Sequence, residues 1–128
     1  MRISLVSVDA LKPHESTNRR HLARLKRRII NDCVLKMPVL ADKKTLVLLD
    51  GHHRWLALKQ LGIRKIPALL VDYESNEIDV KSRRKNLKID KRAVISKGLS
   101  DKVFPPKTTK HVFKKGVEKC DIALELLI

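Results

Sequence analysis

The run Thr45-Leu46-Val47-Leu48-Leu49, followed at once by Asp50-Gly51-His52-His53-Arg54, limits what this chain can fold into more than any other stretch. The apolar half reads as a buried strand. Trp55, Leu56, Ala57, Leu58 and Leu61 give the packing side of a helix that Gly62 stops. A strand therefore turns into a helix across Gly51. Lacking a Cβ, that glycine lets an oxygen-rich ligand approach the backbone, and the first unpaired N–H groups of the helix point outward as anion donors. His52, His53 and Arg54 supply side chains to the same place. A guanidinium forks onto two phosphate oxygens, and an imidazole donates a hydrogen bond or a proton according to its tautomer. The arrangement favours a polyphosphate over a neutral ligand. The bland alternative is a solvated helix start with two adjacent histidines. Zinc fits poorly, because neighbouring helical residues diverge by about 100° and no His or Cys stands four residues on to complete a pair.

At 128 residues the chain suffices for one core and not for two. With two Phe, one Tyr and one Trp, that core is built from Leu, Ile and Val, and a stacking platform for single-stranded nucleic acid has little to work with. The formal charge of +15 attracts nucleotides, nucleic acid and other anions before any specific contact forms. It equally describes a solvated surface without a dedicated partner. Cys33 and Cys120 lack CxxC spacing, which argues against a zinc ribbon or a redox motif and fits a reduced cytoplasm. No apolar stretch has the length of a secretion signal or a bilayer span, so the expectation is a cytoplasmic protein without membrane contact.

Along the chain, residues 2–8 read as a strand and Lys12-Pro13-His14-Glu15 as a turn. A helix follows from about Asn18 to Asp32, with Leu22, Leu25, Ile29 and Ile30 as its apolar stripe. Arg19, Arg20, Arg24, Lys26, Arg27 and Arg28 cover the remainder; no Asn or Gln interleaves them, which favours a wet face over a groove-reading helix. Pro38-Val39-Leu40-Ala41 and residues 45–49, separated by Asp42-Lys43-Lys44, suggest a hairpin. Residues 66–73 read as another strand, with Pro67 near its start or on an edge. Residues 74–89 carry little pattern. A short helix is expected from about Asp90 to Lys97, ended by Gly98, and residues 103–111 form an irregular, donor-rich loop stiffened by Pro105 and Pro106. Residues 120–128 read as a last strand. No internal repeat is visible.

This order of elements resembles the ParB and sulfiredoxin superfamily of nucleotide-binding domains. Three segments carry the likeness: Leu11-Lys12-Pro13-His14-Glu15, Asp50-Gly51-His52-His53-Arg54 and Phe104-Pro105-Pro106-Lys107-Thr108-Thr109-Lys110-His111. The second identifies the superfamily. The first and third together favour the free serine kinases, small enzymes that phosphorylate L-serine with ADP or ATP. The resemblance covers nearly the whole chain, which is shorter than those kinases. It implies an α+β fold: a single compact ParB/sulfiredoxin-like domain over 1–128, a mixed sheet with helices packed around it. Residues 1–73 would be its nucleotide-binding core and 74–128 the part completing the site.

Phosphoryl transfer to an alcohol needs donor and acceptor in line, positive charge around the equatorial oxygens, and a group to take the hydroxyl proton. By the resemblance Glu15 is the general base, with a simple complement to a helix dipole as its bland alternative. Asp50 is the second catalytic carboxylate. It would hold Mg²⁺ directly or through water, since that ion keeps most of its waters and needs only one or two carboxylates beside phosphate oxygens. Asp50 is also a preferred helix cap, and both roles can hold at once. Gly51, His52, His53 and Arg54 would grip the nucleotide phosphates. Lys107, Thr108, Thr109 and His111 would contact the amino acid carboxylate and the transferred phosphate, against the alternative of a rigid basic loop. His14 is left to shape its turn. The implied product is O-phosphoserine, a precursor for cysteine synthesis. The alternative is a ParB-like nucleotide-dependent DNA-binding domain with the basic helix on the phosphate backbone, although no second helix-turn-helix domain is evident. Sulfiredoxin chemistry wants a cysteine in the turn, where histidine stands.

Overall fold

In the computed structural model, which describes residues 3–128, the chain begins with β1 (Ile3–Ser7) and a short 3-10 turn over Val8–Ala10. Then come α1 (Arg19–Asp32), β2 (Val34–Leu35), β3 (Val39–Asp42), β4 (Leu48–Asp50), α2 (His52–Gln60) and β5 (Lys65–Val71). β6 (Ile78–Ser82), α3 (Lys91–Gly98), β7 (Thr109–Phe113) and β8 (Ile122–Ala123) complete it, with a last 3-10 turn over Leu124–Leu126. The main sheet has the order β1-β5-β3-β4. β5 runs antiparallel to β1 and parallel to β3, and β4 returns antiparallel to β3, so the sheet is mixed as expected.

Burial explains the order. All four residues of β3 are buried and β5 is nearly so, which makes them the interior pair, whereas β1 alternates with exposed Ile3 and Leu5 at the edge. Pro67 falls near the start of β5 and one residue before Ala68, where pairing with β3 begins. The pleat then splits the apolar side chains into two cores. Leu48 packs with Leu22 and Ile29 of α1 and Trp55, Ala57 and Leu58 of α2. Leu49 and Val47 face the other way, onto Leu69, Val71, Tyr73, Ile78, Val94 and Phe113. That second core joins residues from both halves of the chain and makes one domain of them.

Several elements depart from the sequence expectation. Ile30 is half exposed, at 50%, and lies outside the α1 stripe. Thr45 and Leu46 belong to a turn, with Leu46 at φ 60°, and the strand starts later, at Leu48. The chain over 74–89 contains β6, paired antiparallel with β7 from Ile78 opposite Phe113 to Ser82 opposite Thr109. Both strands bury only alternate positions and carry Asp79, Lys81 and Lys110 outward, so their apolar signal is thin. The expected last strand shrinks to β8, two residues paired with the equally short β2. Residue 2 of the expected first strand lies outside the described residues. Among the described residues no helix is long and apolar enough to cross a membrane.

Candidate functional site

The segment from Leu11 to Ser16 is stitched on one side to the turn before β4 and on the other to the approach to β7. Lys12 exchanges backbone hydrogen bonds with Leu46 and Leu48, while Phe104 N–H donates to His14 O and Ser16 N–H donates to Phe104 O, at 2.8 Å each for the latter two. Glu15 is thereby delivered to the β7 loop. Its Oε1 accepts from Thr108 N–H at 3.0 Å and Thr109 N–H at 2.9 Å, with the Thr109 hydroxyl oxygen 3.1 Å away. Two consecutive amides converge on one oxygen because the preceding residue, Lys107, adopts a left-handed conformation with φ 56°. The Thr108 hydroxyl closes the same turn by donating to Pro105 O at 2.7 Å. Both amide hydrogen bonds land on Oε1, and among the described residues Oε2 has no hydrogen-bond partner.

Histidines fill the ground between this carboxylate and the strand-to-helix turn. His14, fully buried, places Nδ1 2.6 Å from Leu48 O and Nε2 2.9 Å from Thr109 Oγ1. Its backbone N–H donates to His52 Nε2 at 3.1 Å, and Asn18 N–H donates to His53 Nε2 at 3.0 Å. Both adjacent histidines therefore use Nε2 as an acceptor that anchors the Glu15 segment, and their ring hydrogens sit on Nδ1. His53 also stacks on His21 of α1, ring centroids 3.9 Å apart. His111 Nε2 lies 2.8 Å from the Tyr73 hydroxyl, with its ring 5.7 Å from that of His14. Burial is the largest influence on every one of these rings and lowers each pKa: His14, His21 and His53 below the usual value, His52 well below it, and His111 to about 3. They are neutral hydrogen-bonding parts at pH 7. Burial likewise pushes the Tyr73 phenol upward.

At the turn itself Gly51 has φ 100°, and a Cβ there would stand 2.6 Å from Val39 Cγ1 and 2.9 Å from Arg54 Nη2. Gly51 occupies the N-cap position of α2 without any side-chain cap, so the first amides of the helix stay open and Asp50 does not cap it. Arg54 Nη2 donates to Pro38 O at 3.3 Å and lies 3.9 Å from Asp50 Oδ2, while its buried Nε has no partner among the described residues. Asp50 keeps its side chain 65% exposed. After burial, His53 feels His21, then the opposing pull of Glu15, then Lys107 and Arg54. The Glu15 segment, the glycine turn, the start of α1 and the β7 loop thus share one electrostatic neighbourhood. Glu15, His52, His53, Arg54, Lys107, Thr108 and Thr109 meet there, with His111 one ring further in. His14, Asn18, His21 and Tyr73 join them without having been singled out from sequence. His14 had a signal, its place between Pro13 and the candidate base; the others sit in positions no motif marks. Among the described residues no group of three or more His, Cys, Asp or Glu is placed to hold a metal ion.

No family model matches the chain. Among curated proteins it is 38% identical over 84 residues to an ATP-dependent L-serine kinase of Staphylothermus marinus, covering 61% of this chain and 32% of that protein. It is 48% identical over 44 residues to a ParB-like protein of Sulfolobus acidocaldarius, covering 34% and 22%. An ADP-dependent L-serine kinase of Thermococcus kodakarensis is 29% identical over 79 residues, covering 59% and 33%. The match thus spans about a third of the length of the kinase relatives. Among solved structures, a free serine kinase in complex with AMP superposes with a TM-score of 0.88 at 18% identity, over 98% of this chain and 93% of that one. A C-terminally truncated SbnI from Staphylococcus aureus gives 0.80 at 14% identity, over 98% and 88%. The chain has the fold of these proteins, the ParB and sulfiredoxin-like α+β domain, and its sequence relatives are L-serine kinases and ParB-like proteins.

Proposed function

We propose that this chain is a kinase domain that transfers a phosphoryl group from ADP or ATP to the hydroxyl of free L-serine, giving O-phosphoserine. One observation carries the reading: a carboxylate clamped through a single oxygen by the amides of Thr108 and Thr109, beside a glycine turn with an uncapped helix start and an unpartnered Arg54 Nε. In this reading the open amides of α2 after Gly51, the unpartnered Arg54 Nε and the Nδ1–H groups of His52 and His53 receive the nucleotide phosphates. Lys107 and His111 face the acceptor's carboxylate and the transferred group, and Thr108 and Thr109 form the wall that aims Glu15. The serine oxygen attacks the terminal phosphorus, the bond to the nucleotide's bridging oxygen breaks, and the hydroxyl proton passes to Glu15 Oε2. The nucleotide leaves as AMP from ADP, or as ADP from ATP.

The exposed carboxylate of Asp50, beside the turn, fits an ion that keeps most of its waters and takes a single protein oxygen together with phosphate. Mg²⁺ bound there would neutralise charge on the phosphates. Residues 1–73 would then bind nucleotide, and 74–128 would bring the β7 loop to close the site. Two free cysteines, Cys33 and Cys120, suit a reduced cytoplasmic setting. The relatives named for ATP and for ADP support either nucleotide as donor. Incubation of the purified protein with Mg²⁺, ADP or ATP and a panel of amino acids tests the whole: phosphoserine is expected with serine alone, and no serine-dependent nucleotide turnover would refute it. A second reading, nucleotide-dependent DNA binding, draws on the ParB-like relative and on the arginines exposed along α1. It requires DNA affinity that falls steeply with salt.

A further inference from the structure

Thr109 has one hydroxyl hydrogen and two acceptors in range, His14 Nε2 at 2.9 Å and Glu15 Oε1 at 3.1 Å. Which of them receives it follows from the far side of the histidine. Leu48 O can only accept, so the ring hydrogen of neutral His14 sits on Nδ1, at 2.6 Å from that carbonyl, and Nε2 presents a lone pair. Glu15 Oε1 already holds two amides. The hydroxyl therefore donates to Nε2, and Thr109 holds Glu15 Oε1 through its backbone N–H, at 2.9 Å. We infer that His14 is a positioning residue for Glu15: anchored on the Leu48 carbonyl of β4, it fixes the Thr109 side chain and, through the Thr109 backbone N–H, the orientation of the carboxylate. The inference rests on the kinase reading for its catalytic consequence and on the hydrogen-bond geometry alone for the chain itself.

The geometry makes His14 a junction. Its ring bonds β4 through Leu48 and β7 through Thr109, and its backbone bonds α2 through His52. The rings of His52, at 4.5 Å between centroids, Phe104 at 6.4 Å and His111 at 5.7 Å wall it in, so it cannot swing away to reach substrate. The charges acting on it are the carboxylates of Glu15 and Asp50. It influences transfer only through its neighbours.

The test combines His14→Gln, Thr109→Val, their double variant and Thr109→Ser. Because the two residues act along one chain, each of the first two should lower kcat for serine phosphorylation by about tenfold or more, and the double variant by no more than the worse single one. KM for nucleotide should stay within about twofold, since uniform binding is untouched. Thr109→Ser, which keeps the hydroxyl, should recover most of the loss. Losses that multiply in the double variant, or that fall equally on nucleotide KM, overturn the inference. Nitrogen NMR of the His14 ring decides the chain even without turnover. Thr109→Val should move the Nε2 resonance downfield and leave Nδ1 in place, and Glu15→Gln should also move Nε2. An Nε2 signal indifferent to both variants overturns the inference, whereas a wild-type protein inactive on serine with a responsive Nε2 refutes only the kinase reading.

Discussion

In the proposed reaction Glu15 depends on what holds its other oxygen. Two amides hold Oε1 and leave the other oxygen open, and general-base catalysis of this kind is typically worth about 10²- to 10⁴-fold. Glu15→Gln is therefore expected to lower kcat by at least about 100-fold. Nucleotide affinity, measured by calorimetry, should change little, because no phosphate-facing donor is lost. The role proposed for this residue comes from the family resemblance of its Lys-Pro-His-Glu segment. Its partners were not readable: the clamp is made of backbone N–H groups, which every residue possesses, aimed by a left-handed Lys107 that no sequence pattern announces. Gly51 was readable for the opposite reason, since only glycine suits both its φ of 100° and the 2.6 Å gap to Val39 Cγ1. Gly51→Ala should cost about 1–3 kcal/mol by overpacking in addition to backbone strain. Urea denaturation would register that loss, and nucleotide binding should weaken with it.

Elements were legible where burial is one-sided and continuous. The α1 span, capped by Asn18 accepting from His21 N–H, and the α3 span, capped by Asp90 accepting from Ala93 N–H, were both close to expectation because capping residues stand at their starts. The β6–β7 ribbon was hidden, since pairing between residues some thirty positions apart leaves no local trace and half its side chains face water. One contact between elements is unusually exacting. At the end of α3, a Cβ on Gly98 would meet Val47 Cγ1 at 2.5 Å, so the helix and the residue entering β4 approach through the missing side chain. Gly98→Ala should destabilise by about 1–3 kcal/mol despite the better helix propensity of alanine. Adding Val47→Ala should return part of that stability, a sign of direct coupling that thermal melts of the two singles and the double would reveal.

For the whole molecule, the five histidines act together. Each has its folded pKa below the usual value, so between that value and about 6.5 the unfolded chain binds protons that the folded one refuses. The folded state is fully favoured above pH 6.5 and loses ground as pH falls below it. For His111, at about 3 when folded, the linkage amounts to about 2 kcal/mol by pH 5. Melting temperature is accordingly expected to be flat from pH 8 to 7 and to drop steadily toward pH 5, with His111→Gln flattening the slope. A melting temperature that rises on acidification would contradict neutral histidines in the folded state. The hydrogen bond from Thr109 to Glu15 spans 94 positions of sequence, and the one to His14 spans 95. A ribosome making this protein thus releases the glycine turn and the carboxylate long before the loop that steadies them. Activity should arrive abruptly, only once residue 109 has emerged, and any fragment ending before that residue should be inert however well its first strands and helices form.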